Sequence, residues 1–159
     1  SATVVFSHTG GTSTGSFSAT VDVTNGTYTS NFTGNLAGTA TSIRATVNGV
    51  SVATTLPTVA VLPGPISPTT STITLSNTTV QSGSTITATL QARDAAGNTI
   101  NTGSAAVVFN HTGGTSTGSF APTVDPGDGT YSSVFTGIVA GTPTTVTATI
   151  NAANVTTAL

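Results

Sequence analysis

The chain has no cysteine, methionine or tryptophan, and its 159 residues include neither lysine nor glutamate. Charge is confined to Arg44, Arg93, Asp22, Asp94, Asp125 and Asp128, where a soluble domain usually carries about a quarter charged residues. Each absence excludes something. Without cysteine there is no disulfide frame and no thiolate metal site. Two arginines give no counterion-release grip on nucleic acid and no basic face for anionic lipid, which removes nucleic acid as a partner. Without lysine, intrachain Lys–Asn isopeptide cross-links cannot form. No apolar run approaches the roughly 20 residues of a membrane span, and no leader segment opens the chain. Because residue 1 falls inside a repeat, that says nothing of the parent protein.

Aromatic residues are scarce too, with six Phe and two Tyr. What fills the chain instead is threonine, roughly a quarter of all residues, with Gly, Ser, Ala and Val close behind. Threonine and valine are stiff at the first side-chain torsion and favour strands. Nothing reads as a helix, and the surface must be solvated by hydroxyls and amides.

The strongest signal is a repeat. Val4-Val5-Phe6-Ser7-His8-Thr9-Gly10-Gly11-Thr12-Ser13-Thr14-Gly15-Ser16-Phe17 returns at Val107–Phe120 with a single change, Ser7 to Asn110. The offset of 103 residues holds without a gap from Ser1/Ser104 to Leu56/Leu159, with about 35 of 56 positions identical. A fixed, domain-sized period is the signature of a tandem array. The chain therefore holds one and a half copies of one unit, each able to bury a single modest core.

Taken in order, residues 1–56 read as the back half of a β-sandwich. Val5 to Thr9 and Ser16-Phe17 are strands, and Asp22–Gly26 is a turn with Asn-Gly at its tip. Tyr28, Ser30 and Phe32 share one face by the two-residue period, as do Ile43, Ala45 and Val47, with Ser42, Arg44 and Thr46 outside. The differences between copies agree with this: Asn31 becomes Val134 and Arg44 becomes Thr147 at outward positions, while Tyr28/Tyr131, Phe32/Phe135 and Ala45/Ala148 are kept. Residues 57–70 hold four of the seven prolines and read as an extended, semi-rigid linker. Residues 71–159 read as a complete unit. There Ile73 and Leu75, then Ile86, Ala88, Leu90 and Ala92, alternate with polar neighbours. Seven short strands at about ten-residue spacing, bounded by turn residues, are the pattern of an immunoglobulin-type antiparallel sandwich. Tyr131, Phe135, Val146, Ala148, Ile150, Ile86, Leu90, Val107 and Phe109 are expected inside, Val134 and Thr147 outside.

Leu90-Gln91-Ala92-Arg93-Asp94-Ala95-Ala96-Gly97-Asn98, then Val107-Val108-Phe109, Asp128-Gly129-Thr130-Tyr131 and Thr145–Ile150, together resemble the bacterial immunoglobulin-like repeats of invasin and intimin. The Asp-Gly-Thr-Tyr step is also found in filamin-type repeats. The resemblance covers about residues 71–159 and the half unit at 1–56. It implies an all-β fold of tandem immunoglobulin-like sandwiches, about 103 residues per repeat, in a rod-like stalk on a bacterial surface that projects an adhesive tip. It carries no catalytic residues, and it implies an extracellular location.

Candidate sites are few. Asp125-Pro126-Gly127-Asp128-Gly129 has the look of a small calcium loop, but calcium wants six to eight oxygens and tight sites use several carboxylates. This loop offers two carboxylates and its counterpart (Asp22, Asn25) one, so a β-turn is the simpler reading. His8 and His111 each stand alone, which suits a side-chain hydrogen bond at a strand end better than a metal. Serine and threonine abound, yet no base or orienting carboxylate accompanies them, so no enzyme and no cofactor are expected. A glycan platform needs exposed rings, whereas the strand period turns Tyr28, Tyr131, Phe32, Phe109 and Phe135 inward. Five Asn-x-Ser/Thr sequons stand at Asn25, Asn31, Asn77, Asn110 and Asn154, a density that so threonine-rich a chain reaches by chance, and glycosylation stays open.

Two functions are weighed: a structural stalk or fibre segment, and an adhesive module gripping a host protein or glycan. Counting strands adds a partner, because two back halves share one front half. Residues 1–56 are expected to be completed by strands equivalent to 71–93, from a longer chain or from a neighbouring subunit by strand donation.

Overall fold

A computed structural model describes residues 1–156. They form two units, Ser1–Pro63 and Gly64–Leu159, each considered by itself. No helix occurs among the described residues, as the β-branched composition requires.

The first unit contains β1 (Val4–Thr9), β2 (Thr14–Phe17), β3 (Val21–Asp22), β4 (Tyr28–Thr29), β5 (Phe32–Leu36), β6 (Thr41–Val47), β7 (Val50–Ser51) and β8 (Thr58–Val59). Strand β6 pairs antiparallel with β1, β7 and β8, while β2 pairs with β5 and β3 with β4. The tight β6–β7 turn is made by Asn48 and Gly49 at φ of 49° and 81°. Two positive dihedrals match the twist of a hairpin and explain the Asn-Gly there.

The second unit contains β9 (Thr72–Leu75), β10 (Thr85–Gln91), β11 (Val107–Thr112), β12 (Thr117–Phe120), β13 (Thr130–Val139), β14 (Thr145–Ile150) and β15 (Ala153–Asn154). One sheet runs β12-β13-β10-β9 and the other β11-β14-β15. Both supply the core: Ile73, Ala88 and Leu90 from β9 and β10, Tyr131 from β13, and Val107, Phe109, Ala148 and Ile150 from β11 and β14. This is an antiparallel β-sandwich whose inner residues follow the two-residue period.

The shared sequence gives shared registers. Val4 opposes Val47 as Val107 opposes Ile150, and Phe17 opposes Phe32 as Phe120 opposes Phe135. The same bulge falls at Thr14/Gly15 and at Thr117/Gly118. What differs is cover. Strand β10 pairs with β13 from Thr85 to Gln91, and β13 runs unbroken for 10 residues. The equivalent stretch in the first unit has no such neighbour and is split into β4 and β5. Tyr131 is 1% exposed and Ile150 2%, whereas Tyr28 is half-buried and Val47 is 39% exposed.

Several expectations need correction. Val47 faces solvent rather than a core, because the first unit has no counterpart of β9 and β10 to close over it. Ile86 and Val146 are half-buried, since both line a groove at one end of the second sandwich. Thr147 is half-buried on the outer face, while Val134 is exposed. Residues 57–70 are divided between the two units at Pro63/Gly64. Ile43 N–H donates to the Pro57 carbonyl, β8 pairs with β6, and Gly38 N–H donates to the Val61 carbonyl. From Gly64 onward the tract belongs to the second unit, where Gly64 N–H donates to Asp94 and Ser67 N–H to the Arg93 carbonyl. Proline carries no N–H but its carbonyl accepts freely, so such a tract can dock by its acceptors.

Candidate functional site

Each histidine joins two strands of different sheets, β1 to β2 in the first unit and β11 to β12 in the second. His111, on β11, places Nε2 3.2 Å from the Gly118 carbonyl on β12 and Nδ1 3.2 Å from Thr144 Oγ1. His8 repeats this with Gly15 and Thr41 at 3.2 and 3.3 Å. A carbonyl can only accept, so Nε2 carries a proton in both. The rings stand edge-on to Phe135 and Phe32, with centroids 5.6 and 5.8 Å away. With both nitrogens occupied, the role is a hydrogen-bonded staple at strand ends. His111→Ala removes both bonds and the ring contact, and is expected to cost the second unit about 1–3 kcal/mol in urea denaturation.

The acidic turn is built from side chain to backbone. Asp125 Oδ2 accepts from Ser104 N–H and Oδ1 from Gly127 N–H, both at 2.8 Å. Asp128 Oδ1 accepts from Thr130 N–H at 2.9 Å and from the Thr130 hydroxyl. These bonds favour the ionised form and hold the Asp128 carboxyl below its ordinary value. In the first unit Asn25 Oδ1 accepts the same two bonds from Thr27, and Asp22 accepts from Thr24 N–H. An amide does the carboxylate's work, so the turn itself needs geometry rather than charge. Among the described residues no three His, Cys, Asp or Glu gather around a common point.

The five sequon asparagines are all exposed. Asn77 and Asn110 accept nearby backbone N–H groups, from Thr79 and His111. Of the aromatics expected inside, Phe109, Tyr131 and Phe135 are buried, and Tyr28 and Phe32 are half-buried. Both tyrosine hydroxyls accept an N–H from the strand-entry segment: Ala105 to Tyr131 at 3.0 Å, and Ala2 to Tyr28 at 3.2 Å.

The Asp94–Asn98 turn, which the sequence analysis did not single out as a site, has a buried carboxylate at its centre. Asp94 accepts from the Asn98 side-chain amide and from the backbone N–H of Gly64, Asn98 and Ala96, at 2.8–2.9 Å. The Asn98 amide, and next the Gly64 N–H, hold its carboxyl below the ordinary 3.8. The clamp ties the entry segment at Gly64 to the turn after β10. The Asp-x-x-Gly-Asn spacing was the available signal, but Gly64 lies 30 residues away in sequence.

A carboxylate with a depressed folded value stabilises above the unfolded value and loses that contribution as pH falls through the folded one. The second unit is therefore expected to weaken progressively below about pH 4. Denaturant titrations from pH 7 to pH 2 check this, and Asp94→Asn should be less stable at neutral pH and flatter across the acid range.

The second unit also has a groove, of about 230 Å3, at the end of the sandwich where β13 leaves for β14. Leu75, Val80, Ile86, Phe135, Gly141 and Ser116 are among its lining residues.

The fold has known relatives. It is similar to the Escherichia coli adhesin FdeC, with a TM-score of 0.56 and 24% identity over 96% of this chain and 49% of that one. It is likewise similar to invasin, a bacterial integrin-binding protein, with a TM-score of 0.55 and 19% identity over 97% of this chain and 30% of that one. The chain thus spans about half of the first and under a third of the second. At these identities the likeness establishes the fold alone. No curated protein sequence matches the chain. The family described as Invasin, domain 3 matches residues 67–159, which is the whole second sandwich from its entry segment onward and more than half of the chain. By that match the chain belongs to the Invasin, domain 3 family of bacterial immunoglobulin-like domains.

Proposed function

We propose that the chain is a segment of the extracellular stalk of a bacterial surface adhesin, serving as a spacer and not as an enzyme. The observation that carries this is the internal repeat: one unit recurs with the same strand registers and the same inter-sheet staple, in a chain without clustered charge. Each unit is in contact mainly with itself and its neighbours in such an array, so length grows with copy number. Family membership supports a surface role. The test is small-angle scattering on chains carrying one, two and three extra 103-residue periods. The maximum dimension should rise by a constant increment per period, and a dimension independent of copy number would overturn the reading. Binding of the 159-residue chain to host cells or glycans at micromolar strength would favour the adhesive module instead.

The first unit needs a partner for its half-covered face, and what covers the equivalent face of the second unit is β9 and β10. The stalk reading therefore includes completion of the first unit by two strands of that kind, from a preceding stretch of the same polypeptide. Fusing a copy of residues 64–103 ahead of Ser1 should slow amide exchange along Tyr28–Phe32. If the unfused chain runs as a strand-exchanged dimer, donation comes from another subunit.

A further inference from the structure

The acidic turn of the second unit and its counterpart in the first have nearly the same local sequence, Asp128-Gly129-Thr130-Tyr131 and Asn25-Gly26-Thr27-Tyr28. Their surroundings differ. Gly129 is buried, with the Ile100 carbonyl oxygen 2.0 Å from where a β-carbon would stand, and its own carbonyl accepts from Ala92 N–H and the Gln91 side-chain amide. Gly26 is exposed, nothing lies within 4 Å of the equivalent point, and among the described residues its N–H has no hydrogen-bond partner. The first unit has no strands in the place of those that pin the turn of the second. Its turn is also strained. Thr24, at φ of 64°, stands where the second unit has Gly127, and a β-branched residue is an outlier in that region. What the free turn does hold is the side-chain carbonyl of Asn25, whose Oδ1 accepts from Thr27 N–H at 3.1 Å and from the Thr27 hydroxyl.

We infer that Asn25 is a site of spontaneous covalent conversion to aspartate, with the Gly26 amide as nucleophile and water as the only other reactant. The Gly26 nitrogen loses its proton to solvent and bonds to Asn25 Cγ. The Cγ–Nδ2 bond then breaks, and ammonia leaves with a proton taken from water. Water adds to the resulting cyclic imide and opens it at one carbonyl or the other, to aspartate or isoaspartate, with nothing oxidised or reduced. Each feature of the turn serves one of these steps. Glycine brings no β-carbon to hinder the approach of its nitrogen. As that nitrogen attacks, negative charge develops on Oδ1, where the two Thr27 donors already point. Ring closure turns the Asn25–Gly26 peptide, and no neighbouring strand resists it. The aspartate product has a precedent in this chain, since Asp128 accepts the same two bonds from Thr130. Conversion to aspartate thus keeps the turn and adds a second carboxylate to that of Asp22, giving it the charge of its counterpart. The isoaspartate product instead inserts one more main-chain carbon ahead of Tyr28. The other Asn-Gly of the chain, Asn48-Gly49, is exposed too, but Asn48 is tied to Thr3 through both its N–H and its Oδ1, and Val47 opposite Val50 closes its turn.

The experiment does not depend on the stalk role. The 159-residue chain is kept folded in mildly alkaline buffer and sampled over time by tryptic mass spectrometry, with aspartate and isoaspartate separated by chromatography. Trypsin cuts after Arg44 and Arg93, so Asn25 and Asn48 fall on different fragments. Conversion at Asn25 should outrun that at Asn48 by at least about tenfold, a difference of one decade in rate constant. In urea, where no turn is held, the two sites should converge. Asp128→Asn writes Asn-Gly-Thr-Tyr into the second unit, and that copy should convert at least about tenfold more slowly than Asn25 of the same molecule. Thr27→Val keeps the backbone donor, removes the hydroxyl and should slow Asn25 several-fold. An Asn25 that persists while Asn48 converts, or that is intact throughout, would overturn the inference. Equal folded-state rates at Asn25 and Asn48 would overturn it as well, leaving the dipeptide and not the turn in control. Equal rates at Asn25 and at the Asp128→Asn site would overturn the role of the missing strands, and a faster Thr27→Val variant would overturn that of the hydroxyl.

Discussion

Phe135→Ala is expected to cost the second unit about 3–5 kcal/mol, against less than about 0.5 kcal/mol for Thr147→Ala. The ring is 5% exposed, stands 4.9 Å from Phe120 and 5.6 Å from His111, and lies over Gly118. It thus joins β12, β13 and the histidine staple, and strands paired in two sheets cannot collapse around the hole it leaves. Thr147 lies on the outer face of β14 and projects into no core. Phe32→Ala, the same change in the first unit, should cost clearly less, because Phe32 is only half-buried. Urea denaturation of the three variants, read by amide exchange so that the units are followed separately, checks the order. Equal losses at Phe135 and Thr147 would place the strand one residue out of register.

Gly129→Ala is expected to be about as damaging, and Gly26→Ala to be mild. The two glycines are equivalent, both follow the Asp/Asn of the same turn, and both have positive φ, 82° and 90°. An L-residue there costs about 1–2 kcal/mol, and for Gly26 that is the whole expected loss, since a β-carbon would meet nothing within 4 Å. At Gly129 the β-carbon would come 2.0 Å from the Ile100 carbonyl oxygen. That contact is with backbone, which no rotamer change can relieve. The Gly129 carbonyl also accepts from Ala92 N–H and from the Gln91 side-chain amide, so any shift of the turn breaks bonds to the end of β10. A total of about 3–5 kcal/mol follows from strain and overpacking together. Thermal unfolding of the two variants decides it, and equal effects would mean that Ile100 does not crowd Gly129 in solution.

The fold class was legible because threonine and valine alternate with small apolar residues, and a two-residue period has one structural meaning. The candidate sites were legible as far as their chemistry is local. Asp128 and Thr130 are two residues apart, and the Asx turn needs no third partner. His8 and His111 were placed at strand ends, but their partners Gly15 and Thr41, and Gly118 and Thr144, come from other strands or, for Thr144, from the residue just before one. The Asp94 clamp was missed for the same reason, since its ligand at Gly64 is supplied by a proline-rich tract that composition marks as a linker.

The sequence by itself determined which side chains share a face, where the turns fall and that one unit recurs, because these follow from residue types a few positions apart. It did not determine whether a face is covered. Tyr28 and Tyr131, or Val47 and Ile150, carry nearly the same local sequence, yet one of each pair is sealed and the other is not. Burial depends on what packs from a distant part of the chain: β9 and β10 over the second unit, residues 57–61 at the end of the first. A two-residue period gives each strand its inner side, and only a second layer makes that side an interior.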